Sequence, residues 1–101
     1  MIYGVVSIRV KPGKRGDFVQ LFSANATKVR QEKGCSRYML TVDIDSGTPI
    51  QFMDKDVVTL LEEWESMEDV RNHLATPHMG AYFEKEKEFV DEVVVRMLSE
   101  A

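Results

Sequence analysis

Cysteine is nearly absent from this chain. The one thiol, Cys35, has no partner in the sequence, so no intrachain disulfide can form. A reducing compartment fits that usage best, and the expected location is cytoplasmic. Long hydrophobic runs are missing too: nothing approaches the roughly 18 apolar residues that a bilayer span requires, so no membrane partner is expected. The opening stretch M-I-Y-G-V-V-S-I-R-V lacks the charged start, apolar middle and small-residue cleavage site of a signal peptide. Positive charge is in short supply, with 13 basic against 17 acidic residues and a net charge of −4, which argues against a nucleic-acid-binding face. There is no phosphate-binding P-loop, no dinucleotide glycine motif and no flavin or haem attachment signature. Groups that move protons near neutral pH are scarce, since there are two histidines in 101 residues.

What is present is patterned hydrophobicity. Residues 2–11 alternate: Ile2, Gly4, Val6, Ile8 and Val10 share one side, while Tyr3, Val5, Ser7, Arg9 and Lys11 share the other. That predicts a strand with one apolar and one mixed face. Pro12-Gly13 ends it. The spacing of Phe18, Leu21, Phe22, Ala26 and Val29 predicts a helix over 16–33, with Lys28, Arg30, Glu32 and Lys33 on its solvent side and Gly34 just past its end. Strands are expected at about 35–42 and at 57–64, separated by a polar, turn-rich loop or hairpin at 43–56. Ser66, with Asp69 three residues on, is a capping signature for a short helix carrying Met67, Val70 and Leu74. Thr76-Pro77 starts another, with Thr as N-cap and Pro at the first helical position. The valine-rich stretch 90–98 is the last strand. The order is β-α-β-β-α-β with the second helical region broken, an α+β, ferredoxin-like single domain over 1–101: a four-stranded antiparallel sheet with helices on one face. The uncovered face would carry Tyr3, Val5, Ser7 and Arg9 beside Glu92, Val94, Arg96 and Leu98, a surface that a second copy of the sheet could cover.

The chemistry-bearing residues cluster. W-E-S-M-E-D-V-R-N-H-L-A-T-P-H, residues 64–78, holds the single tryptophan and both histidines. His73 and His78 lie five apart across a helix break, unlike the i, i+4 pair of a metal-binding helix, so no metal site is expected. Each is a candidate general acid or base, or equally a ring that merely satisfies local backbone groups. Trp64 is either core or one wall of an aromatic pocket. Glu62 and Glu63 are adjacent on a strand, so they face opposite sides and cannot act as a carboxylate pair; one is expected in solvent and the other at the sheet interface. Cys35 reads as a small buried hydrophobe.

In the order of these motifs the whole chain resembles the antibiotic-biosynthesis monooxygenase-like family of the dimeric α/β-barrel superfamily. The carrying residues are the first strand with K-P-G-K-R-G-D-F, the G-C-x-x-Y at Gly34, Cys35 and Tyr38, E-E-W-E-S at 62–66, and H-L-A-T-P-H at 73–78 with Phe83 beyond. The resemblance implies a homodimer with sheets packed face to face. It also implies oxidation of a small quinol or polyphenol by molecular oxygen, without metal, flavin or haem. It implies His73 or His78 as the proton-transfer or anion-stabilising group, and Trp64, Phe83, Tyr3, Ser7 and Arg9 as substrate contacts. Haem-degrading relatives carry an asparagine on the first strand, whereas this chain has V-V-S-I-R. Some polyketide-oxidising relatives carry an asparagine four residues before the tryptophan, where this chain has Leu60. Two alternatives stay open: a non-catalytic ligand-binding or regulatory dimer, and an isomerase of a small phosphorylated sugar derivative using Arg9, Lys11, Lys14 and Arg15.

Overall fold

A computed structural model describes all 101 residues. The elements are β1 (Ile2–Val10), α1 (Arg15–Val29), β2 (Cys35–Val42), β3 (Val57–Trp64), α2 (Met67–Leu74), α3 (Pro77–Glu86) and β4 (Val90–Leu98). The strands form one antiparallel sheet in the order β2-β3-β1-β4, with Val6 opposite both Leu60 and Val95. This is the expected ferredoxin-like α+β arrangement.

The period-two alternation of β1 sorts as the sequence predicts. Val6, Ile8 and Val10 are buried under the helices together with Val58, Leu60 and Trp64 of β3 and Tyr38 of β2. From α1, Phe18, Phe22, Ala26 and Val29 pack onto them. Phe22 stacks on Tyr38 at 5.3 Å between ring centroids. The opposite face carries no helix. There Tyr3 pairs with Leu98, Val5 with Arg96, Ser7 with Val94 and Arg9 with Glu92.

Both helix starts in the 64–78 segment are capped by the residues the sequence nominates. Ser66 Oγ accepts from the Asp69 N–H and donates to Asp69 Oδ2 at 3.0 Å. Thr76 Oγ1 accepts from the Met79 N–H, and Pro77 opens α3. Ser66 turns the chain off the sheet immediately after Trp64. The α2–α3 break then turns it again, so that both short helices run above the sheet.

Two expectations need correction. The first helix stops at Val29, not at 33. The Gln31 N–H bonds back to the Lys28 carbonyl and the Glu32 N–H to that of Val29, tightening the exit into three-residue turns. Glu32 is therefore not on the solvent side; the turn swings it inward under α2 and α3. Gly34 follows at φ +83°, and a Cβ there would overlap the Asp69 carboxylate. The second correction concerns Glu62, which points neither to solvent nor to the outer sheet face but inward, beneath the helices.

Residues 43–56 form an irregular arm. It is braced internally, with Gln51 bonding the Ile44 carbonyl and the Asp54 N–H donating to Asp43. Arg9 clasps Asp54 at 2.9 Å. Its apolar tip is bare: Ile50 is 91% and Phe52 82% exposed.

Candidate active site

The helices do not extend over β4, and this leaves a cavity. α1 packs on β2 and α3, and α2 on β3, while β4 contacts β1 alone to any extent. Between the inner sheet face and the α2–α3 pair lies a space of about 190 Å³. Its floor is Val6, Ile8 and Leu60, its roof Val70, Met79 and Phe83, and its mouth lies along Val93 and Val95 of β4. Most of the wall is hydrocarbon or aromatic ring. The polar groups reaching it are His73, Glu62, Glu86, Tyr38, Tyr82 and, from an exposed position on α2, Arg71.

His73 is 3% exposed and tightly held. Its Nδ1 lies 3.1 and 3.0 Å from the two Glu32 oxygens. A carboxylate only accepts, so Nδ1 carries the proton and Nε2 is left for the cavity side. The ring tilts over Trp64 at 4.7 Å and meets the edge of Tyr38 at 5.6 Å. His78 Nε2 donates to the same Glu32 oxygen at 2.9 Å and lies 3.3 Å from Thr76 Oγ1. One carboxylate from the α1 exit thus locks both imidazoles. His78, however, faces a separate shallow groove between α1 and α3, not the cavity.

Trp64 is fully buried. It does not line the cavity but backs its wall, and its indole N–H donates to Glu62 Oε1 at 2.8 Å. Glu62 Oε2 takes no hydrogen bond from the protein. Gly4, across on β1, makes room for it: a Cβ there would meet Glu62 Cγ at 3.0 Å and Oε2 at 3.2 Å. Burial pushes the Glu62 carboxyl above the usual carboxylate range, against the opposing pull of the indole and of His73. Glu86 is also raised by burial, against the opposing pull of the nearby Tyr82 hydroxyl. Both tyrosine hydroxyls are pushed up, by burial first and then by the neighbouring carboxylates, so they stay neutral donors.

Of the residues nominated from sequence, the fold brings His73 and Phe83 to the cavity and puts Trp64 behind it. Tyr3, Ser7 and Arg9 lie on the opposite face of the sheet. None of the basic residues Arg9, Lys11, Lys14 and Arg15 lines the cavity; Arg9 is bonded to Asp54 and Arg15 to the Lys55 carbonyl. No set of three or more His, Cys, Asp or Glu side chains is grouped to hold a metal ion. Glu62 and Glu32 were missed. Glu62 could have been found by counting two residues back from Trp64, which puts it on the same strand face. Glu32 could not, because the helical period carried past Val29 places it outside.

The family model for antibiotic biosynthesis monooxygenases matches residues 1–85. The chain belongs to the antibiotic biosynthesis monooxygenase family. It is 36% identical to the probable quinol monooxygenase YgiN of Escherichia coli K12 over 100 residues, covering 97% of this chain and 96% of that protein. Among solved structures, a conserved protein from Methanosarcina mazei Go1 superposes with a TM-score of 0.86 at 23% identity, covering 99% of this chain and 92% of its own. A Shewanella oneidensis protein does so at 0.82 and 26% identity, covering 96% and 87%. The fold and the monooxygenase family expected from the motif order are thus both found. No helix of this family member is long and apolar enough to cross a membrane.

Proposed function

We propose that the protein oxidises a small quinol or polyphenol with molecular oxygen, the substrate itself supplying the electrons. The observation that carries this is the cavity beside His73. An engineered cavity of about 150 Å³ with an apolar lining holds one benzene ring, so about 190 Å³ suits a single substituted ring. The name borne by the 36% identical E. coli relative points to the same substrate class.

The chemistry needs little from the protein beyond placement. A ring hydroxyl must lose its proton, because a phenolate gives up an electron far more readily than a phenol. Transfer of one electron to oxygen gives a phenoxyl–superoxide pair, which couples at a ring carbon and then eliminates water. The overall balance is quinol plus O₂ to hydroxyquinone plus water. His73, oriented by Glu32, presents its lone-pair nitrogen Nε2 to the cavity, where it accepts a hydrogen bond from a ring hydroxyl and positions it. Phe83 and Val70 cover the ring from the roof, and the apolar walls keep water from the reactive pair. His78 shares Glu32 and serves to fix its position. The carboxyl groups facing inward, with Arg71 the one basic residue of the lining, disfavour a sugar phosphate.

The outer sheet face supports a homodimer. Tyr3, Met39 and Val94 are exposed large side chains on a face that no helix covers, and Ile50 and Phe52 on the 43–56 arm are bare as well. Oxygen-electrode assays over a panel of single-ring quinols test the activity. Uptake above the spontaneous rate that falls at least tenfold in His73→Ala, but less than threefold in His78→Ala, is the expected result. Uptake no faster than the uncatalysed rate with every quinol would remove the proposal.

A further inference from the structure

We propose that Glu62 is the base that takes the hydroxyl proton from the substrate ring. This assignment rests on the oxidative reading above and adds the residue that starts it. The carboxylate is 8% exposed and lies in the wall of the cavity. Oε1 is occupied by the Trp64 indole N–H at 2.8 Å, which fixes the plane of the group. Oε2 is left without a protein donor, against the gap that Gly4 provides. A buried acceptor held by one oxygen and open at the other is built to receive a hydroxyl from a bound ligand.

The surroundings make the transfer favourable. The polar and titratable groups sharing the cavity wall with Glu62 are Tyr38 from β2, His73 and Arg71 from α2, and Tyr82 and Glu86 from α3; Gly4 of β1 lies opposite it in the sheet, and the β4 side, Val93, Val95 and Met97, carries no titratable group. Burial raises the affinity of Glu62 for a proton, which narrows its gap to a phenol. In an apolar cavity a compact carboxylate loses more solvation than a phenolate, whose charge spreads over a ring. Moving the proton from the ring hydroxyl to Oε2 leaves the net charge of the cavity unchanged while shifting it to the larger anion. In balance, ArOH and Glu62–COO⁻ become ArO⁻ and Glu62–COOH. The proton is then available for the water released after oxygen has reacted.

Glu62→Gln separates this from a structural role, because the amide oxygen still accepts from Trp64 and the volume is kept. The probe is 4-nitrophenol, whose yellow phenolate band is absent from the neutral phenol. It is titrated at a mildly acidic pH where the free probe is mostly neutral. The expected result is a yellow complex with the wild type and a colourless one with Glu62→Gln, together with a fall in kcat of about 10²–10⁴-fold for a quinol and a KM changed much less. Complexes of the same colour with both proteins, or no binding to either, overturn the assignment. If the colours match while the wild type still consumes oxygen, Glu62 falls and the oxidative reading stands. If the colours differ but no quinol drives oxygen uptake, the reading falls and Glu62 remains a proton-accepting ligand site.

Discussion

Removing the Glu32 carboxylate should unsettle the domain more than its place in a connecting turn suggests. In Glu32→Ala two imidazole N–H donors, His73 Nδ1 and His78 Nε2, lose the acceptor they share at 3.0 and 2.9 Å. His73 is buried, which leaves its Nδ1 little access to water, whereas the His78 side chain is 22% exposed and can recruit a replacement. An orphaned buried donor costs about 1–3 kcal/mol, so the buried ring accounts for most of the loss and the two together for roughly 2–4 kcal/mol. For a domain of this size each kcal/mol lowers Tm by about 4–8 °C, giving a fall of roughly 10–25 °C. Urea titration and thermal melts followed by far-UV circular dichroism read it directly. Crossing Glu32→Ala with His73→Ala should give a coupling of at least about 1 kcal/mol, and crossing it with His78→Ala distinctly less. A single variant within about 0.5 kcal/mol of the wild type, the spread typical of neutral surface changes, would refute the claim that Glu32 locks the site.

Glu62→Gln should be at least as stable as the wild type at neutral pH while losing activity. Its folded-state pKa is raised, so the carboxyl favours folding below its unfolded value and that benefit is lost as pH rises through the raised value. The stability gap between variant and wild type should therefore close on acidification, which denaturant titrations across pH will show. Gly34→Ala should destabilise by more than about 1–2 kcal/mol, the cost of the left-handed conformation alone, since the new Cβ also strikes Asp69; equal urea midpoints would contradict it. Val95→Trp, on an exposed position at the cavity mouth, should leave the melt nearly unchanged but raise KM at least several-fold.

The fold was readable because its signals are local and periodic. The β1 alternation, the α1 stripe and the Ser66 and Thr76 caps each act within a few residues. The site was readable only in outline. His73 and Trp64 stood out by rarity, but their meaning depends on Glu32 and Glu62, which the chain brings to them across 41 and two residues. Glu32 reaches His73 only because α1 stops a turn early, and nothing in the helical period marks that stop. Tyr3, Ser7 and Arg9 drew notice as polar residues on a half-apolar strand, yet parity puts them on the face opposite the cavity. Alternation tells which residues share a face; which face holds the cavity depends on where the helices leave β4 bare.

The central claim is that the cavity beside His73 couples a quinol to oxygen by inserting one oxygen atom and releasing the other as water. The most direct measurement is oxygen consumption against a limiting amount of single-ring quinol, followed by addition of catalase. One O₂ consumed per quinol, with no oxygen returned by catalase and with turnover abolished by Glu62→Gln, is the predicted result. Return of half the consumed oxygen would show that hydrogen peroxide is the product, and would contradict the account.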